Sequence, residues 1–589
     1  MPAAMLVHRF FGRSPCRGSG DQINLSDPWS VPSDPWSVRS RRHTGPVSSP
    51  AASPQRTEPR SGGTEPMWAG AVVGIVAAAC GLAVAELMAG IWTTLSSPVL
   101  SVGDRVVDNV PRPLKEWAIS AFGTSDKAVL VGVVLVLLAL FAAGVGVVAL
   151  RRGVRAGLVG VGVFSLLGVL AALGRSGAGW SGIVPSLVAG AVAAGVLLLL
   201  VHRAGHDVAA SGLGFLDPPP LGTGDDERPS VPMTGATRRQ FLGTAAALSA
   251  GAVVMVGAGR WLRQRGVATT ERLRVMLPSA SRPLPPVPPA ADLGVSGAVP
   301  FITPNADFFR IDTALTLPQV DPRDWTLTVN GRVDRPITLT YEQLLERPMV
   351  EADITLSCVS NEVGGDLVGN ARWLGCRLDD LLAEAGIDPS ADQIVGRSVD
   401  GFTAGFPTAL LDGRDTLVAV GMNGEPLPIR HGFPARLVVP GVYGYVSATK
   451  WLSEIELTRF DEFEGYWIPR GWSVEGPIKT QSRIDTPTRA ATVDAGRPTP
   501  IAGVAWAPVR GIERVEVQVD DGEWQDAELG EAYTDTTWRQ WKLAWDPTAG
   551  QHQIRVRATD GEGVTQTEER TEVAPDGASG WHTIRVTAS

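Results

Sequence analysis

Three segments of different chemistry follow one another along this 589-residue chain. They predict a multi-domain protein: a five-helix membrane anchor, then an α+β domain, then an all-β immunoglobulin-like sandwich. Three observations carry that prediction. Apolar windows of bilayer length crowd the first half. Strand and helix signals alternate over residues 301–475. Short alternating strands with turn pairs recur over 480–589. Charge divides the chain in the same way. Residues 1–300 hold 26 Lys and Arg against 17 Asp and Glu, whereas residues 301–589 hold 26 against 44. A half so acidic repels a phosphate backbone, so no nucleic acid is expected as a partner.

Residues 1–66 are rich in Pro, Ser and Arg, and "SDPWSV" occurs twice, at Ser26 and Ser33. This stretch is expected to be a disordered cytoplasmic N-terminus. Met67 opens the first span and is an alternative start.

Residues 67–262 form the membrane region. Uncharged windows at 67–85, 128–150, 156–174 and 176–201, with a fifth at 240–259, lack the polar face a soluble helix needs. Arg39, Arg41 and Arg42 precede the first span, Arg151, Arg152 and Arg155 crowd the turn between the second and third, and Arg203 and Arg228 lie between the fourth and fifth. The positive-inside rule then places the C-terminal half outside the cytoplasm. Glu86 is the one ionisable residue inside a span and lies near its end. The spans therefore read as an anchor in the lipid bilayer and not as a transport path. The fifth span, 237–260, opens with "TRRQFLG". Arg238 and Arg239 are either positive-inside residues or the pair of a twin-arginine export signal. Residues 263–300 are a linker; seven prolines between 278 and 300 predict a semi-rigid spacer that stands the next domain off the membrane.

In the 301–475 domain, "WTLTVNGRV" alternates apolar and polar residues and carries Asn330-Gly331, a hairpin turn pair. Thr340 and Gln343 form a capping box for "LTYEQLL". Gly386 stops "LDDLLAEAG", and strands are expected at 392–396 and 435–440. Over 480–589, Val515, Val517 and Val519 share one strand face. Asp521-Gly522 and Asp560-Gly561 mark turns, and "WRQWKLAW" offers three core tryptophans.

Chemistry concentrates at two places. Cys358 ends the strand "ADITLSC" and is followed by Gly364-Gly365 and Gly369-Asn370. A thiol there can meet a ligand at a backbone that approaches closely. Two plainer readings stand beside that one, a buried hydrophobe and a disulfide with Cys376. The second place is "MNGEPLPIRHGFPARLVVPGVYGYVSATKW", where His431, Arg436 and Lys450 sit among prolines and glycines. Such groups can hold a phosphate-bearing cofactor, or they can be incidental loop charge.

"SCVSNEVGG…GNARWLGCRLDDLLAEAG", "MNGEPLP…HGFPARLVVPG…KW" and the opening "TPNADFFRIDTAL" together resemble the sulfite oxidase family of molybdopterin enzymes. "GPIKTQSRIDTP" and "GVAWAPVRGIERVEVQVDDGEW" resemble that family's C-terminal dimerisation domain. The resemblance implies the molybdenum cofactor, with Cys358 as catalytic residue and metal ligand. It also implies cofactor contacts from Asn305, Phe308, Arg310, Asn361, Asn370, Arg372, Trp373, His431, Arg436 and Lys450. Animal and plant members carry an arginine pair after the cysteine in a "CAGNRR" context; here the stretch is Val359-Ser360-Asn361-Glu362-Val363. Arg310, Arg372 or Arg483 are the candidates to replace it at an oxyanion substrate.

The implied function is oxygen-atom transfer outside the cytoplasm, coupled to a separate electron partner, a cytochrome or membrane redox protein. Sulfite is the first expected substrate, and a sulfoxide or N-oxide the alternative. A homodimer through the sandwich is the expected assembly. A non-catalytic surface binding protein is the rival from another class.

Overall fold

The computed structural model describes residues 67–110 apart from 93, 94 and 96; residues 126–173, 180–204 and 235–264; and residues 267–589 apart from 315. Residues 1–66 lie outside the described residues. Five described helices are long and apolar enough to cross a membrane. They are α1 (Met67–Ile91), α3 (Asp126–Arg152), α4 (Val154–Leu173), α5 (Val184–Arg203) and α6 (Gly235–Gln264). Between the first two lies α2 (Pro98–Asn109), a short amphipathic helix capped by Ser97, which the hydropathy windows passed over.

Helix α1 packs against α3, α5 and α6. Glycines set these crossings. A Cβ on Gly74 would lie 1.7 Å from the Ala142 carbonyl oxygen, and one on Gly81 2.3 Å from that of Ala189. Such close backbone approach sets the packing of these apolar helices. The Glu86 carboxylate accepts from the Ser97 hydroxyl at the start of α2.

Beyond α7 (Val267–Arg272) the proline-rich segment does not stand free. Ser281 N–H donates to Met349 O at 2.8 Å, and Glu351 N–H donates to Arg282 O at 3.1 Å. Leu284 N–H donates to the Glu351 carboxylate at 2.9 Å. Extended, proline-rich backbone has no internal partners for its amides, so it takes them from the exposed edge of β3. The segment is a strap over the next domain instead of a spacer.

That domain has two sheets. The first has the order β2-β1-β10-β5-β6, from β1 (Thr326–Gly331), β2 (Ile337–Thr340), β5 (Gln393–Ser398), β6 (Thr403–Pro407) and β10 (Leu452–Thr458). The second has the order β3-β4-β7-β8, with β9 paired to β7. Its strands are β3 (Met349–Ser357), β4 (Val368–Arg377), β7 (Leu417–Met422), β8 (Glu425–Pro426) and β9 (Arg436–Val438). Helix α8 (Tyr341–Leu345) has the expected Thr340–Gln343 capping box, and α9 (Leu378–Ala385) ends at Gly386 with φ +73°. The Asn-Gly pairs exchange roles. Asn330 and Gly331 remain in β1, where the Asn330 amide bonds Glu454 at 2.9 Å. The tight two-residue turn is Asn423-Gly424 between β7 and β8, with φ +52° and +80°.

The C-terminal domain is the expected sandwich. One sheet runs β11-β13-β17-β16 and the other β12-β19-β18-β14-β15. They are built from β11 (Gln481–Thr486), β12 (Thr492–Val493), β13 (Thr499–Trp506), β14 (Ile512–Val519), β15 (Gln525–Asp526), β16 (Glu528–Leu529), β17 (Arg539–Trp545), β18 (Gly550–Asp560) and β19 (His582–Ala588). Val515, Val517 and Trp541 fill its core. Trp506 and Trp538 instead enter the core of the preceding domain, where Trp538 Nε1–H donates to Phe301 O at 2.8 Å. The two domains therefore share an apolar joint.

Candidate active site

Strand β3 delivers Cys358 to its end, and the loop 358–367 folds back around it. Asn361 shapes that loop. Its N–H donates to Cys358 O at 3.1 Å, and its side-chain oxygen accepts from Leu367 N–H at 2.9 Å. The Cys358 sulfur accepts from Ser360 N–H at 3.4 Å. Burial raises the thiol pKa, so a positive metal is what would draw out the thiolate. Cys358 and Cys376 are both free thiols. Ser357 pairs with Val368 at one end of the β3–β4 ladder and Met349 with Cys376 at the other. Nine residue pairs at ~3.4 Å each separate the two thiols, far beyond disulfide reach.

Cys358 opens into a cleft. The same cleft is lined by His431, Arg436 and Lys450. Arg436 leads β9 and is 5% exposed. Its guanidinium donates to the His431 carbonyl at 3.2 Å and the Leu437 carbonyl at 3.4 Å, and it lies 4.9 Å over the Trp373 ring. No carboxylate comes within ion-pair distance of it among the described residues. Burial lowers its pKa to about 9. Lys450 donates to Ile311 O at 2.8 Å and pairs with Asp312 at 3.3 Å; burial lowers its pKa to about 8. Gly432, with φ +111°, lets the backbone lie against Lys450, where a Cβ would sit 3.0 Å from the lysine Cβ. His431 Nε2 lies 3.0 Å from Asn305 O, and burial lowers the ring's pKa to about 3. It is therefore a neutral wall whose Nε2–H is spent on Asn305.

Of the residues proposed from sequence, Cys358, Phe308, His431, Arg436 and Lys450 line this cleft. Trp373 lies one layer beneath, edge-on to Phe308 and under Arg436. Arg310 sits beside it, paired with Asp312 at 3.3 Å. The others do not reach it. Asn305 joins Met422, Glu425 and Asn423. Asn370 is buried between Thr355 and the Phe301 carbonyl. Arg372 pairs with Asp353 through two bonds of 2.8 and 2.9 Å and also reaches Tyr533. Arg483 pairs with Asp485 at 2.6 Å and donates to Gly365 O at 2.9 Å, behind the cysteine loop. Neither Arg372 nor Arg483 faces a substrate in the cleft. Sequence reasoning missed Tyr445, Trp467 and Trp472, which also line the cleft. No local pattern marks them.

The profile of the oxidoreductase molybdopterin binding domain matches residues 314–467, and that of a bacterial Ig domain matches 481–556. Mitochondrial sulfite oxidase of Mus musculus is 33% identical over 304 residues, covering 44% of this chain and 55% of that protein. This chain thus spans about half the length of that relative. The uncharacterized oxidoreductase YuiH of Bacillus subtilis is 33% identical over 156 residues, covering 26% of this chain and 76% of YuiH. The sulfane dehydrogenase SoxCD structure from Paracoccus pantotrophus is 24% identical, covering 50% of this chain and 82% of that one, with a TM-score of 0.43. The chain belongs to the sulfite oxidase family of molybdopterin-dependent oxidoreductases. Its cofactor is the molybdenum cofactor.

The residues fit that group. A free thiol and a buried guanidinium without a carboxylate partner among the described residues line the same cleft. Buried charge is costly unless paired, so Arg436 is built to receive an anion such as the cofactor's phosphate.

Proposed function

We propose that this chain is a membrane-anchored, extracytoplasmic oxidoreductase that transfers an oxygen atom to or from a small substrate and exchanges the electrons singly with a separate redox partner. The observation that carries this reading is the pairing, within one cleft, of the Cys358 thiol with the buried Arg436 cation. The five apolar helices and the arginine-rich loops between them support the anchor and its direction. Chain length supports a membrane-bound partner. Helix α6 ends at Gln264, and Arg272 already bonds the Pro426 and Leu427 carbonyls. Those eight residues span at most about 28 Å, which keeps the domain near the bilayer.

When bound, the molybdenum cofactor supplies the two-electron, oxygen-exchanging chemistry. This chain's residues do the rest. Cys358 would hold the metal, with the Ser360 N–H on its sulfur. Arg436 and Lys450 would hold the phosphate, with neutral His431 closing the wall between them. Tyr445, Trp467 and Trp472 give the cleft an aromatic lining that limits water within it.

The relatives' printed names make sulfite the first substrate to assay. Full-length protein, purified in detergent from a host that supplies the cofactor, should carry about one molybdenum per chain and turn over with artificial electron carriers. Cys358→Ser should abolish turnover while leaving the circular dichroism spectrum unchanged. Metal-free protein despite adequate supply would overturn the reading and favour a non-catalytic binding protein.

A further inference from the structure

The segment that joins α6 to the molybdopterin domain presents two large apolar side chains to solvent. Met276 is 88% exposed and Leu273 75%. Val253 and Val254 of α6, the most exposed large apolar residues of the five apolar helices, reach 73% and 70%. Over residues 267–589 the next after Met276 and Leu273, among the described residues, is Val564 at 57%. Two such side chains on one short segment make an apolar patch that a water-facing surface seldom carries without a use.

The segment is held in place. Val275 and Leu277, on either side of Met276, pack against the core of the domain, and a Cβ on Gly421 of β7 would lie 2.8 Å from Leu277 Cδ1. Arg272 donates to the Pro426 and Leu427 carbonyls at 3.1 and 2.8 Å and pairs with Glu425 at 3.0 Å. Its neighbouring charges are balanced: Arg274 pairs with Glu271 at 2.9 Å and Arg323 with Asp321 at 2.7 Å. The tether is also short. Helix α6 ends at Gln264 and α7 starts at Val267, a gap of at most about 10 Å, and α7 rises about 9 Å over its six residues. Leu273 therefore lies within about 22 Å of the end of α6. Trp92 and Trp261 are exposed at that end of the helices, where a Cβ on Gly90 would lie 2.5 Å from Gly259 O. Tryptophans so placed mark the boundary between acyl chains and headgroups.

We propose that Leu273 and Met276 insert into the acyl boundary of the bilayer and dock the molybdopterin domain on the lipid by its β7–β8 side. The inference rests on the membrane-anchored reading above. Insertion is apolar and not electrostatic, because the arginines beside the patch already have carboxylate partners, so an uncharged lipid surface suffices. Arg272 ties the same segment to the β7–β8 turn. The domain is then held at one height and with one side towards the membrane, instead of swinging on its tether.

The test uses full-length protein reconstituted into phosphatidylcholine vesicles, with acyl chains either brominated near the headgroup or unbrominated. Cys80, Cys358 and Cys376 are buried, so in a Cys16→Ser background a thiol-reactive dye reports from Met276→Cys, Val253→Cys or Val564→Cys, with the background protein as the labelling blank. Brominated chains should quench the dye at 276 at least about twofold, as they do at 253, and leave it unchanged at 564. Added salt or anionic lipid should change the signal at 276 by less than about a fifth. Without any dye, trypsin should cut after Arg274 about tenfold faster in Leu273→Gln with Met276→Gln than in the parent in the same vesicles, while turnover in detergent is unchanged. A dye at 276 that stays bright while that at 253 is quenched, or equal cutting of variant and parent, overturns this inference and leaves the anchor standing. If the bright dye is also shielded from an aqueous quencher, a protein and not lipid covers the patch. Unquenched dye at both 276 and 253 overturns the anchor as well.

Discussion

Replacing Arg436 by Met separates the two jobs a buried cation can have. Arg436 is 5% exposed, and burial lowers its pKa from the ordinary guanidinium value to about 9. A shift of that size corresponds to roughly 5 kcal/mol of unfavourable burial. Against it stand two long hydrogen bonds to carbonyls, about 1.5 kcal/mol each, and the stacking on Trp373, about 1–2 kcal/mol. These nearly cancel, so Arg436→Met should leave the cofactor-free protein within about 1 kcal/mol of the parent, a change of a few degrees at most in Tm. Cofactor retention should behave differently. A phosphate about 4 Å from the guanidinium gains about 4 kcal/mol at an effective dielectric constant of 20, or roughly a thousandfold in affinity. The assay is a pair of measurements. Thermal melts are taken on protein made without cofactor, and molybdenum content is taken on protein made with it. A variant that melts many degrees lower yet still retains molybdenum would refute the idea that this charge exists for the ligand.

Arg372→Ala should show the opposite pattern. It strands the buried Asp353 carboxylate, costing about 3 kcal/mol because the arginine is itself partly exposed, while metal-loaded protein keeps its kcat; loss of turnover without loss of Tm would restore Arg372 to the site. Acid should destabilise the fold. Burial holds His431 at about 3 and His582 at about 4, against an ordinary 6.5, so the unfolded chain takes up those protons first. Their stabilisation is complete above pH 6.5 and is lost as pH falls towards the folded values; His582→Gln should flatten the Tm-versus-pH slope between 6.5 and 4, and an unchanged slope would remove His582 from the account. Arg238 and Arg239 are exposed at the start of α6, and replacing both with Lys should abolish surface delivery of a reporter fused after Ser589; undiminished delivery would leave them as positive-inside residues.

Some of this was legible in the residues and some was not. A strand-like run that ends in a thiol and leads into a glycine-rich loop singled out Cys358, and the capping box at Thr340 fixed α8, because each signal lies within a few adjacent residues. Asn305, Asn361, Asn370 and Arg372 sit in the same motifs and look like ligand contacts, yet they satisfy buried backbone or pair with Asp353, partners that only the fold brings together. Asn330-Gly331 and Asn423-Gly424 are the same dipeptide. The second closes a tight turn because Asn423 also bonds Thr303 O and Asn305, contacts that no window of sequence contains. The aromatic wall was unreadable for the same reason, since Tyr445 and Trp472 belong to separate loops that meet only in space.

The sandwich belongs to this site more closely than the word dimerisation suggests. Gly364 has φ +81°, and a Cβ there would lie 2.3 Å from the His582 ring of β19. One residue on, the Gly365 carbonyl accepts from Arg483 of β11, which Asp485 holds in place. His582 Nδ1 in turn accepts from Ile484 N–H at 3.0 Å. The loop that presents Cys358 is thus pressed from behind by two strands of a different domain. Both glycines are needed, because a side chain at Gly364 would strike the histidine ring and one at Gly365 would lie 2.6 Å from the Asn361 side-chain oxygen that orders the loop. The glycine pair that follows the cysteine therefore serves the fit between domains. The geometry of the loop that carries Cys358 depends on the sandwich staying docked, whatever its role in assembly.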